Sequence, residues 1–134
     1  MEEGYSVTLK EIIDDFQLEI VNGHELIDDI LITTSDINRP GLQLTGFMEN
    51  FDNYRIQIMG MVEISYVKKM SPEERYKRLD DFFALGFPCL IVTRGLDIFE
   101  EMIGVSNKYH IPILRTTDVT SDFVAGIIKY LNVQ

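Results

Sequence analysis

Pro88-Cys89-Leu90-Ile91-Val92-Thr93-Arg94-Gly95-Leu96 is the stretch on which the fold turns. Cys89 to Thr93 is an apolar run that reads as a buried strand. A cation and a glycine then break it. Working outward, the segments alternate in kind. Upstream, Ile56-Gln57-Ile58-Met59-Gly60 reads as a strand. Met61 to Met70 fits two periods: Val62, Ile64 and Tyr66 alternate as in a strand, whereas Val62, Tyr66 and Met70 share a helical face. The helical reading is taken. Ser71-Pro72-Glu73-Glu74 is a helix start, with a serine cap, a proline in the first turn and a glutamate three residues on. Tyr76, Leu79 and Phe83 give that helix a core face, Phe82 lies beside it, and Gly86 ends it. Downstream, Ile98, Phe99, Met102, Ile103 and Ser106 mark a helix ending near His110. Ile111 to Leu114 is a strand, and Thr120 caps a last helix with Phe123, Val124, Ile127, Ile128 and Leu131 inward. Strand–helix alternation from Arg55 onward predicts right-handed crossovers and an α/β fold: a mixed, largely parallel sheet flanked by helices.

The first half of the chain is less regular. Thr8-Leu9-Lys10-Glu11 is a capping box, followed by Leu9, Ile12, Ile13 and Phe16 on one helical face. Leu18 to Val21 and Ile30 to Thr33 read as short strands that can pair as a hairpin, with Asn22-Gly23 as a turn. Between the halves lies Ser35-Asp36-Ile37-Asn38-Arg39-Pro40-Gly41, running on to Gly46. Pro40 fixes its own φ and pushes Asn38-Arg39 toward extended geometry. Leu42, Leu44, Phe47 and Met48 are expected to anchor the segment to the core.

Composition narrows the function classes. The 134 residues fit one domain, 1–134, with no linker, repeat or low-complexity stretch. A net charge of −10 argues against binding nucleic acid or an anionic membrane. The one cysteine, Cys89, cannot form an internal disulfide and suits a small core position. Met1-Glu2-Glu3-Gly4 lacks a signal-peptide core, and no apolar run reaches membrane length. A cytoplasmic location is the expectation.

Most chemistry searched for is missing. Gly41-Leu42-Gln43-Leu44-Thr45-Gly46 has the glycine spacing of a phosphate loop, but Phe47-Met48 stand where Lys and Ser/Thr must meet phosphate and Mg²⁺. His24 and His110 have no partner at metal-ligand spacing, so no metal or cofactor is expected in this chain. The acidic pairs Asp14-Asp15, Asp28-Asp29, Asp80-Asp81 and Glu100-Glu101 read as solvated faces rather than acid/base pairs. Two loops remain. Asp36, Arg39 and Gly41 lie in one. Arg94 and Gly95 lie in the other, at the carboxyl end of a buried parallel strand, where open α/β sheets bind ligands. Arg94 can clamp a carboxylate or phosphate bidentately. Against that, Asp36 can cap the turn or pair with Arg39, and Arg94 can cap a helix or pair with an acid. These five residues are the candidates for a ligand site or an interface.

At Ser35-Asp36-Ile37-Asn38-Arg39-Pro40-Gly41-Leu42, followed by Gly46, the chain resembles the N-terminal domain of bacterial HPr kinase/phosphorylase. Arg55-Ile56-Gln57 leading to Gly60, Glu63-Ile64-Ser65-Tyr66, Val92-Thr93-Arg94-Gly95-Leu96 before Glu100-Glu101, and Ile111-Pro112-Ile113-Leu114 agree with that resemblance in order and spacing. The resemblance implies a fold similar to Mur ligase N-terminal domains and to DRTGG domains. It also implies membership of a bifunctional, homohexameric enzyme that phosphorylates a serine of HPr and removes that phosphate, tuning carbon catabolite repression through the sugar phosphotransferase system. ATP and Mg²⁺ would then serve a C-terminal kinase domain, absent from these residues, and no catalytic residue carries over. The implied function is regulatory or scaffolding, with that kinase domain and other copies of the chain as partners. The alternatives are a sensor binding an anionic small molecule through Arg39 and Arg94, or a free-standing interaction module.

Overall fold

The computed structural model describes residues 6–133, and the segment Met1-Glu2-Glu3-Gly4 read above lies outside them. A five-stranded sheet runs in the order β2-β7-β6-β5-β4. Its strands are β2 (Glu19–Asn22), β4 (Ile37–Asn38), β5 (Ile56–Met59), β6 (Leu90–Val92) and β7 (Ile113–Arg115). β4, β5, β6 and β7 are mutually parallel, and β2 is an antiparallel edge against β7. The mixed, largely parallel sheet expected from the alternation is therefore present.

Period-two alternation along the central strands makes two cores. Ile56 and Ile58 of β5, Cys89 and Ile91, and Leu114 of β7 point to one face. There they meet α1 (Leu9–Phe16) and α6 (Thr120–Val133) through Ile12, Ile13, Phe123, Ile127 and Leu131. Met59, Leu90, Val92 and Ile113 point to the other face, under α3 (Met61–Lys68), α4 (Pro72–Phe83) and α5 (Glu100–Tyr109). Phe82 and Phe83 are fully buried there, and Phe82 stacks on Phe87 at 4.7 Å between centroids. Each such side chain contributes about 1.5–3 kcal/mol of burial.

Two of the three helix-start signals hold, those at Thr8 and Ser71. Thr8 Oγ1 accepts the Glu11 N–H at 3.1 Å and donates to Glu11 Oε1 at 3.1 Å. Ser71 Oγ accepts the Glu74 N–H at 3.1 Å. His110 ends α5 at φ 57.

Other expectations are corrected. The proposed hairpin does not form: β3 (Leu31–Ile32) pairs with β1 (Val7–Thr8), while β2 pairs with β7. A 3₁₀ helix (His24–Asp29) fills the gap where a turn was read, and it carries the chain away from β2. In the segment after Pro40, Leu44 is fully buried but Leu42 and Phe47 are exposed, because α2 (Gly41–Leu44) is a single turn with one inward apolar position. Ile98 and Phe99 precede α5 rather than forming its first turn. Tyr76 faces out of α4. The acidic pairs are not merely solvated: Asp80 accepts from Lys108 at 2.8 Å and Tyr109 at 2.9 Å, and Glu101 from Arg75 at 3.2 Å.

A candidate ligand cleft at the carboxyl edge of the sheet

Parallel strands end together. Asn38 pairs with Gln57, Met59 with Val92, and Val92 with Arg115, so the residues that follow emerge along one edge. They are Arg39, then Gly60-Met61-Val62, then Thr93-Arg94-Gly95, then Thr116 to Ser121. After β5 the chain enters α3 on one face of the sheet. After β7 it enters α6 on the other. A cleft of about 510 Å³ opens between these helices. It is lined by Met61 and Val62 at the start of α3, by Thr120, Ser121, Val124 and Ala125 in the first turns of α6, and by Arg39 and Arg94 from the strand ends.

Arg39 is held by Glu63. Its Nη2 donates to Glu63 Oε1 at 2.7 Å and Oε2 at 3.0 Å, and the Gly60 N–H donates to Oε1 at 2.6 Å. Glu63 thereby takes the free N–H at the start of α3, half of a capping box for which Gly60 has no side chain to offer. Gly60 is required by crowding: a Cβ there would lie 2.6 Å from Thr120 Oγ1 and 3.0 Å from Arg39 Nη2. Thr120 is not a free cap either. It is the first residue of α6, and its hydroxyl bonds the buried Thr93 hydroxyl at 2.6 Å. This pins the end of β6 to the start of α6.

Arg94 is different. Its backbone sits at φ 58 and that of Gly95 at φ 61. The left-handed conformation costs a non-glycine residue about 1–2 kcal/mol. It is held by the Arg94 N–H to Asp118 O at 2.9 Å and the Gly95 N–H to Thr116 O at 2.8 Å. The Arg94 side chain is exposed at the mouth of the cleft and has no ion-pair or hydrogen-bond partner among the described residues.

The five candidates thus separate. Arg39 and Arg94 come together at one cleft, with Gly95 beside Arg94. Asp36 pairs with neither; its carboxylate lies 3.7 Å from Arg55 Nη2, correcting the expected pair with Arg39. Gly41 opens α2 and borders an adjoining hollow of about 220 Å³ with Leu44, Val62 and Tyr66. Cys89 is wholly buried, and burial pushes its thiol far above the usual range, so it is no thiolate nucleophile. Among the described residues no cluster of His, Cys, Asp or Glu is placed to hold a metal ion. Thr120, Ser121, Met61 and Val62 escaped the reading as site residues. The rule that singled out Arg94 applies equally to the ends of β5 and β7, and would have found them.

The fold and cleft define an open-sheet α/β domain with a basic-lipped crevice at its carboxyl edge. The sequence model described as HPr Serine kinase N terminus matches residues 7–131, and the chain belongs to that family. The HPr kinase/phosphorylase of Clostridium perfringens (strain SM101 / Type A) is 44% identical over 126 residues, covering 94% of this chain and 40% of that protein. That of Caldanaerobacter subterraneus subsp. tengcongensis is 44% identical over 126 residues, covering 94% and 41%. The chain therefore spans about 40% of the length of these curated relatives. Among solved structures, the CBS and DRTGG domains of the regulatory region of Clostridium perfringens pyrophosphatase, crystallised with the activator diadenosine tetraphosphate, align with a TM-score of 0.60. That match covers 90% of this chain and 45% of the other at 21% identity, a likeness of fold.

Proposed function

We propose that this chain is a non-catalytic regulatory and scaffolding domain of a bifunctional HPr serine kinase/phosphorylase. It would act in the cytoplasm in carbon catabolite repression. The observation that carries this reading is the match of residues 7–131 to the N-terminal family, over only about 40% of each full-length relative. The charged groups support it, since several are spent on architecture. Arg75, Arg115 and Asp80 each tie two or more elements together. α2 and α3 also expose Leu42 and Tyr66, apolar side chains suited to contact with a kinase domain or another copy of the chain. HPr is then the substrate of the parent enzyme, and ATP and Mg²⁺ serve its catalytic domain.

The test is a replacement. This chain is substituted for the matching N-terminal segment of the C. perfringens relative and compared with that relative lacking the segment. The replacement should restore the assembly state and effector response of the whole enzyme. If removing the segment changes neither rates, effector response nor assembly, the regulatory and scaffolding role is wrong.

A second reading has its own observation. Arg39 and Arg94 border one cleft, which favours a sensor for an anionic small molecule.

A further inference from the structure

We infer that the cleft between α3 and α6 is a binding site for a small organic phosphate, held by Arg94 and Arg39 at its mouth with its carbon part between the apolar walls. The inference rests on the sensor reading and narrows it. It holds whether or not a catalytic domain is attached.

Three observations carry it. First, Arg94 is an uncommitted cation. Its guanidinium has no partner among the described residues in a chain of net charge −10; Arg78 shares that lack, but it is Arg94 that borders the cleft. Arg75 and Arg115, by contrast, are bound into ion pairs at 3.2 and 2.9 Å. Second, the position of Arg94 is fixed by the fold rather than by a partner. Backbone bonds to Asp118 and Thr116 hold residues 94 and 95 in the left-handed region. Third, Arg39 is already oriented. Glu63 engages its Nη2 alone, so Nε and Nη1 remain to donate. A guanidinium held by one carboxylate loses less freedom when it meets a second anion.

The shape selects the chemistry. Arg39 comes from the end of β4, Arg94 from the end of β6 and Ser121 from the start of α6, so three elements bring donor-bearing side chains to one cleft. One guanidinium fork satisfies a planar carboxylate, whereas a tetrahedral phosphate offers oxygens in three directions. A volume of about 510 Å³ exceeds what a bare phosphate fills. Met61, Val62 and Val124 line the remainder, which suits an apolar or ring-bearing group. The long-range repulsion from the acidic surface is screened beyond about 8 Å at physiological salt, so the local donors decide.

The experiment uses the ¹⁵N- and methyl-labelled 134-residue chain, titrated at constant ionic strength with inorganic phosphate, phenyl phosphate, benzoate and chloride. Both phosphates should give saturable shifts in the amides of Gly60, Arg94, Gly95 and Ser121, with half-saturation in the millimolar range or below. Phenyl phosphate should bind at least about fivefold tighter than phosphate and also move the Val62 and Val124 methyls. Arg94→Gly, which keeps the positive φ without strain, should weaken both by about tenfold or more. Ser121→Asp places a carboxylate at the mouth and at a helix start where it does not destabilise the fold. It should abolish binding while the spectrum stays folded. Shifts with benzoate but not with either phosphate would overturn the phosphate assignment and leave an anion sensor. No saturable shift with phosphate, phenyl phosphate or benzoate beyond that of the chloride control would overturn both. Equal affinity for the two phosphates would overturn the apolar half of the site.

Discussion

Glu63 shows how much one residue can hold. Its side chain is 7% exposed, and it accepts from Arg39 and from the Gly60 N–H. Removing Arg39 leaves a carboxylate with little access to water and one hydrogen bond. Arg39 is itself 38% exposed, so water replaces part of the lost pairing. Arg39→Ala should therefore cost about 2 kcal/mol rather than the full penalty of a deeply buried pair. Glu63→Gln keeps an acceptor for Gly60 and should cost about 1 kcal/mol, and the double variant less than the sum of the two. Urea unfolding of the four proteins checks this. Gly60→Ala, which forces a methyl onto Thr120, should cost about 1–3 kcal/mol by the same measurement. Arg39 and Arg94 were legible as candidates because a Pro-Gly turn and a strand end flag them. The partner of Arg39 was not. Glu63 lies 24 positions away on another element, and proximity in sequence favoured Asp36.

At the scale of elements, α4 and α5 are clamped by two polar devices. Arg75 donates to the Val67, Lys68 and Met70 carbonyls at 3.0–3.1 Å, closing the end of α3, and its guanidinium also meets Glu101 and the Phe99 ring. A lysine cannot reproduce that fork. Arg75→Lys should lose about 2 kcal/mol in thermal or urea unfolding, more than half the effect of Arg75→Ala. Asp80 joins α4 to Lys108 and Tyr109 of α5. The hydrogen bond from Lys108 holds its carboxyl below the usual carboxylate range, with Tyr109 adding to the effect. A depressed folded-state value means that the unfolded chain binds protons first. Stability from this group is present above the ordinary aspartate range and is lost as pH falls through the folded value. Asp80→Asn should flatten the acid limb of a melting-temperature profile below about pH 4 and leave its shape near neutrality unchanged.

The elements themselves were largely readable, and for a physical reason. Thr8 and Ser71 caps, the positive-φ ends at Gly86 and His110, and the apolar runs of β5, β6 and β7 are local signals. Pairing is not local. β2 lies beside β7, more than ninety positions away, because the antiparallel edge must cover the sheet on that side. Nothing in Leu18 to Thr33 distinguishes that from a hairpin. Thr120 was misread as a cap for the same reason, since its true partner, Thr93, follows β6, far away in sequence.

For the whole molecule, the parallel order of β4 to β7 and the switch of helices from one sheet face to the other create the cleft. No single segment encodes it, although each segment contributes a recognisable strand end. The site was therefore half legible: Arg94 as a residue, the cleft only as a rule about where ligands sit. The same scale holds the central claim, that a domain of this family regulates a chemistry it does not perform. Mass-spectrometric detection of phosphoserine on HPr tests that claim most directly, using this chain alone with ATP and Mg²⁺ and the full-length C. perfringens relative alongside. The account predicts phosphoserine with the relative and none above background with the chain. Turnover by the chain itself would contradict it.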